Sequence, residues 1–152
     1  MKNLVWILLC LLFVGESCKK KDVTPTFFLK ATIDGQLWEA STVSRSLGAK
    51  NPDGSQNILY TGQKSNKEVL SLIVSKQPST VGTYNLGSGG IGAVFYTLDA
   101  FTTYSSVNSM GKIIIASISE EAMTGSFEIE LVGGSPTKTI KVKEGSFSFP
   151  SK

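Results

Sequence analysis

Two serine–lysine spacings, a glycine-rich stretch, a Pro-Asp-Gly turn and a few carboxylates among aromatics are the parts of this sequence that could do chemistry. "SMGK" at 109–112 and "SPTK" at 135–138 match S-x-x-K, a spacing in which lysine helps to deprotonate a serine nucleophile. Both lack companion motifs and a surrounding helical domain, and a chain rich in serine and lysine produces such pairs cheaply. "GSGGIG" at 87–92 satisfies G-x-G-x-x-G. A dinucleotide site needs that loop to open a helix whose amides meet pyrophosphate, whereas "AVFYTLDAF" follows with the alternation of a strand. "NPDGSQN" at 51–57 carries oxygen ligands in the style of a calcium loop, but it lacks the closing acid, and Pro-Asp-Gly is sufficient as a turn.

Paired carboxylates would suit glycoside hydrolysis. Glu120 and Glu121 fall in an expected turn, and Glu128 and Glu130 have expected lysine partners. Asp99, between Tyr96 and Phe101, is the one acid amid aromatics. Tyr84, Tyr96, Asp99 and Tyr104 are therefore the candidate ligand contacts. Trp38 and Tyr60 could also stack on a sugar or peptide, although aromatics in sheet proteins are more often core.

What is missing excludes more. The chain has no histidine, and its 2 cysteines are Cys10 and Cys18. A histidine general base, a Ser-His-Asp triad and an imidazole or multi-thiolate metal site are ruled out. No catalytic residue and no metal ligand is assigned. The formal net charge is +3, of which Lys19, Lys20 and Lys21 against Asp22 supply +2 and leave +1 for the remainder. No concentrated basic face follows residue 22, so nucleic acid is not an expected partner.

Lys2 precedes "LVWILLCLLFV", residues 4–14. That continuous apolar run is too short for a membrane span, which takes about 20 residues. A charged start, a short apolar middle and then small residues make the layout of a secretory signal peptide. Residues 15–18, Gly-Glu-Ser-Cys, resemble the lipobox of bacterial lipoproteins, with Gly15 and Glu16 where that family usually has leucine and a second small residue. The resemblance implies cleavage by signal peptidase II between Ser17 and Cys18 and a thioether-linked diacylglycerol on Cys18. It further implies a membrane partner through the lipid, with no other cofactor. Two or more acyl chains hold a protein stably where one does not. The expected organisation is a signal peptide over 1–17, the lipidated cysteine and a polar linker over 18–26, and one domain over 27–152. Cys10 would leave with the signal peptide, so no disulfide is expected in the mature chain. The expected location is the cell envelope, on the outer membrane, facing the periplasm or the exterior.

From Phe27 the hydrophobic period is two. "FFLKATI" puts Phe27, Leu29, Ala31 and Ile33 on one face. Asp34-Gly35 suits a type I′ hairpin turn, and "QLWEA" returns with Trp38 opposite Ala31 and Ala40 opposite Leu29. "QNILYTG", "VLSLIVS", "AVFYTL" and "FTTY" follow as further strands. "GKIIIASIS" is apolar on both faces, which suits a central strand. "GSFEIEL" points Phe127, Ile129 and Leu131 inward. In "KTIKVKEGSFSF" the inward parity changes between Val142 and Phe147, which predicts a bulge near Glu144-Gly145. The last two strands should pair Ile129 with Val142 and Leu131 with Ile140, setting Glu128 against Lys143 and Glu130 against Lys141. No helical stripe appears after residue 22. The expected fold is all-β, an antiparallel β-sandwich, with a small β-barrel as the alternative, preceded by a signal-peptide helix and a short linker.

"ATIDGQLWEAS", "GTYNLG" and "GKIIIASISEEAMTGSFEIEL" leading to "VKEGSFSF" are similar to an uncharacterised family of small all-β Bacteroidota lipoproteins with an N-terminal IDGxxWxA motif. These landmarks are strands and turns, so the resemblance implies a fold and transfers no functional residue. The expected function is a membrane-anchored, non-catalytic binding or assembly module, with an envelope protein or a glycan as partner and loops 84–92 and 102–110 as its surfaces. The alternative is a carboxylate-dependent glycan hydrolase using Asp99.

Overall fold

The computed structural model describes residues 25–50, 52–64, 68–75, 77–106 and 110–152. Ser17, Cys18, the signal peptide and most of the expected linker lie outside the described residues. The described chain forms strands β1 (Phe28–Ile33), β2 (Gln36–Glu39), β3 (Thr42–Lys50), β4 (Gln56–Gln63), β5 (Val69–Val74), β6 (Gly82–Gly87), β7 (Gly92–Thr97), β8 (Thr103–Ser105), β9 (Met110–Ile118), β10 (Ala122–Gly133) and β11 (Lys138–Pro150). The fold is all-β and antiparallel, as its period-two alternation predicts, and the sheet curls strongly into a half-barrel.

The strands run β2-β1-β11-β10-β8-β7-β5-β4-β3, and β9 and β6 branch off β10. The branch arises because β10 changes partner along its length. Met123–Ile129 pairs with β9, whereas Val132 and Gly133 pair with β8. On its other edge β10 pairs with β11 from Ala122↔Pro150 to Gly133↔Lys138.

Curling brings the two arms face to face over one core. Tyr60 of β4 stacks on Phe149 of β11 at 4.5 Å between ring centroids, and Phe149 stacks on Phe147 at 4.6 Å. A Cβ at Gly62 of β4 would lie 2.7 Å from Leu29 Cδ2 and 2.9 Å from Ala40 Cβ. No larger residue fits there without moving the arms apart.

The first hairpin has its expected register, with Ala31 opposite Trp38. Asp34 and Gly35 have φ of 48° and 83°, the pair of positive values that a type I′ turn requires. The last hairpin pairs Ile129 with Val142, Leu131 with Ile140 and Glu130 with Lys141 as expected. The bulge is also present. Between Phe127↔Gly145 and Ile129↔Val142, the single residue Glu128 faces both Lys143 and Glu144. That extra residue displaces the expected Glu128–Lys143 pair, and Glu128 instead lies 3.9 Å from Lys112 of β9. Glu144 adopts φ of 51° and accepts a hydrogen bond from Thr32 Oγ1 at 2.9 Å.

Two expectations need correction, and one strand was not among those expected. β9 is central in its branch, but Ile114 is exposed, so only one face is covered. The stretch 42–50 was not legible as a strand and forms β3, an edge strand whose residues are mostly exposed. The segments expected to be loops at 84–92 and 102–110 include residues 84–87 of the paired strand β6 and all of the paired strand β8, and residues 107–109 lie outside the described residues.

Candidate binding cleft

The ends of four hairpins converge on one cleft of about 270 Å³. The β1–β2 turn brings Asp34, the β4–β5 connection brings Lys64 and Glu68, the β7–β8 turn brings Leu98, and β11 brings Lys138, its first residue. Trp38 enters from β2, Tyr96 from β7 and Tyr104 from β8.

The cleft is built on aromatics. Tyr96 and Tyr104 are cross-strand partners, so their rings share a face; their centroids are 6.3 Å apart at an interplanar angle of 26°. Trp38 meets Tyr96 edge-on at 6.5 Å and 89°, the T-shaped geometry favoured by aromatic quadrupoles. Trp38 and Tyr96 are buried, and Tyr104 is partly open. The indole N–H of Trp38 is buried and has no hydrogen-bond partner among the described residues.

Two charge pairs flank these rings. Lys64 Nζ is 3.4 Å from Glu68 Oε2 and 6.0 Å from the centroid of Trp38. Glu68 Oε2 also accepts a hydrogen bond from the Tyr96 hydroxyl at 3.1 Å. Burial, reinforced by the Glu68 carboxylate, pushes the Tyr96 phenol well above its ordinary range. Lys138 Nζ lies 2.6 Å from Asp34 Oδ2, and the Lys141 backbone N–H donates to Asp34 Oδ1 at 2.9 Å. The Lys138 hydrogen bond, then the Lys141 amide, hold the Asp34 carboxyl below its usual range. The same bond holds the Lys138 ammonium above its usual range.

Of the candidate contacts named from sequence, the structure brings Tyr96 and Tyr104 together in this cleft. Tyr84 lies elsewhere, donating its hydroxyl hydrogen to the Thr80 carbonyl at 2.7 Å. Asp99 caps its own turn. Its Oδ1 accepts the backbone N–H groups of Phe101 and Thr102 at 2.8 and 2.9 Å, and Oδ2 accepts the Thr102 hydroxyl at 3.3 Å. The Phe101 amide, followed by the Thr102 hydroxyl and amide, holds the Asp99 carboxyl below its usual range. Asp34, Lys64, Glu68 and Lys138 were not singled out from sequence as a site. Lys64 and Glu68 share the β4–β5 connection, and Asp34 and Lys138 lie at the ends of the adjacent strands β1 and β11; the curl of the sheet makes the two pairs neighbours.

A larger open groove of about 430 Å³ crosses the outer face of β9, β10 and β11. Its charged walls are the exposed cross-strand pairs Lys112–Glu128 and Lys141–Glu130, at 3.9 and 3.5 Å. Such solvated pairs hold little fixed geometry, and among the described residues no aromatic side chain lines the groove. Among the described residues, no group of three or more acidic, cysteine or histidine side chains could hold a metal ion.

Fold and cleft together define an all-β domain with an aromatic-floored recess where its hairpin ends meet. The chain belongs to the family defined by the domain of unknown function DUF6252, which it matches over residues 25–149. No curated protein and no solved structure matches it.

Proposed function

We propose that this chain is a lipid-anchored module of the bacterial cell envelope that binds a ligand in the cleft without transforming it. The observation that carries the reading is the convergence of four hairpin ends of one sheet on one aromatic recess, the usual placement of a binding site on a β scaffold. The tether belongs to the reading because the "GESC" stretch supplies a thiol where an apolar run gives way to lysines. β1 then runs from Phe28, near the tether, to Ile33 at the wall of the cleft. A strand of this length advances about 20 Å. The cleft therefore lies at the end of β1 remote from Phe28, the end at which the expected linker joins the domain.

Hydrolysis is the weaker reading. A general acid needs a carboxyl held above its ordinary range. Asp99 and Asp34 are both held below it, and both oxygens of Asp99 serve its own turn. The test of the anchor is fractionation of cells expressing Cys18→Ala. The variant should move from the membrane to the soluble fraction, and intact-mass analysis of the parent chain should show acyl additions on a first residue Cys18. A variant that stays in the membrane would mean that residues 4–14 are a retained anchor.

A further inference from the structure

Resting on the reading of the cleft as a binding site, we propose that its ligand is an uncharged sugar ring of a glycan chain. Charge makes the first selection. Lys64–Glu68 on one wall and Lys138–Asp34 on another are each internally balanced. An anionic ligand would meet two carboxylates and a cationic one two ammonium groups, each with its own counter-ion already at hand.

Shape and polarity make the second. The stacked Tyr96 and Tyr104 rings, with Tyr104 partly open, provide an apolar surface for the C–H face of a pyranose. The flanking carboxylates can accept from sugar hydroxyls, and the ammonium groups can donate to them. Charge-assisted bonds of this kind are the stronger class of hydrogen bond.

The indole N–H of Trp38 adds an independent observation. It is buried and unsatisfied in a residue that lines the recess. An unpaired buried donor is costly, and a ligand hydroxyl or ring oxygen that reached it on a small rotation of the indole would relieve that cost. About 270 Å³ lies just below the range of pockets that engulf drug-sized ligands, so the recess suits one or two rings of a longer chain.

The test uses the lipidated chain purified in detergent micelles. Saturation-transfer NMR and calorimetry are run with maltotriose, cellotriose, mannotriose and chitotriose as neutral probes. Trigalacturonate serves as the anionic probe and the peptide Gly-Phe-Gly as the apolar one. At least one neutral trisaccharide should bind saturably and at least tenfold more tightly than trigalacturonate. Tyr104→Ala should abolish that binding. Lys138→Ala, at a side chain 60% exposed whose loss should not unfold the domain, should weaken it about tenfold, with folding of both variants checked by circular dichroism. Preference for trigalacturonate, silence from all four neutral sugars, or binding untouched by both substitutions would overturn the proposal. Binding of Gly-Phe-Gly alone, lost in Tyr104→Ala, would also overturn it while leaving the cleft a binding site. Fractionation of Cys18→Ala reports on the anchor separately.

Discussion

Asp34 has two tasks in one residue. Its backbone adopts the left-handed φ of the first hairpin turn, and its carboxylate ties that turn to Lys138 and to the Lys141 amide of β11. Asp34→Asn keeps a residue type that tolerates positive φ but removes the charge. It should lower the melting temperature by about 1–3 °C at neutral pH. Because the folded pKa is depressed, this contribution is present above the unfolded carboxylate value and is lost as pH falls through the folded one. The two melting curves should therefore converge in acid, below about pH 4. Burial raises the phenols of Tyr60 and Tyr96, with Glu68 adding to the effect at Tyr96 and Arg45 opposing it at Tyr60. Raised folded values stabilise the fold below the ordinary phenol range and are lost as pH climbs through them. Absorbance titration at 295 nm (the phenolate band) should show that at least two of the 4 tyrosines ionise only as the protein unfolds. Tyr96 and Tyr104 were legible as candidate contacts because aromatic type is written in the sequence. The commitment of Asp99 to its own turn and of Tyr84 to the Thr80 carbonyl four residues back was not legible, because such short-range bonds depend on backbone angles that residue type leaves open.

Among the elements, β11 shows how far hydrophobic parity can be trusted. Ile140 and Val142 point inward on even numbers, Phe147 and Phe149 on odd ones, and the change of parity alone located the bulge. What parity could not give was its effect on neighbours. The inserted Glu144 cancels the expected Glu128–Lys143 pair and leaves Glu128 to Lys112. Gly145, beside it, has no room for a side chain. A Cβ there would lie 2.5 Å from the Phe127 ring and 2.6 Å from the Phe127 carbonyl oxygen. Gly145→Ala should destabilise the domain by about 1–3 kcal/mol, read as a lower urea midpoint with an unchanged slope. β3 escaped the same reading because an exposed edge strand has no buried face to impose alternation, and only Val43 and Arg45 of its residues are even partly covered.

For the whole molecule, the curl that brings Gly62 against Leu29 and Ala40 also brings the hairpin ends of the cleft together. Gly62→Ala should spread the two arms and cost about 1–3 kcal/mol. It should also weaken any ligand of the cleft, although residue 62 does not line it. Calorimetric melting beside a binding titration would measure both effects. The antiparallel, all-β character was legible because strand length, period and turn residues are local properties. Closure of the arms was not, since it follows from β10 changing partner midway.

That change of partner has a mechanical consequence. β10 is bonded on one edge to β11 from end to end and on the other first to β9, then to β8, so neither branch of the sheet can peel away without exposing its seam. Amide protons of this strand should be the last in the molecule to exchange with deuterated solvent, surviving until the entire chain opens at once, while those of the outlying strands β2 and β3 are lost early by fraying.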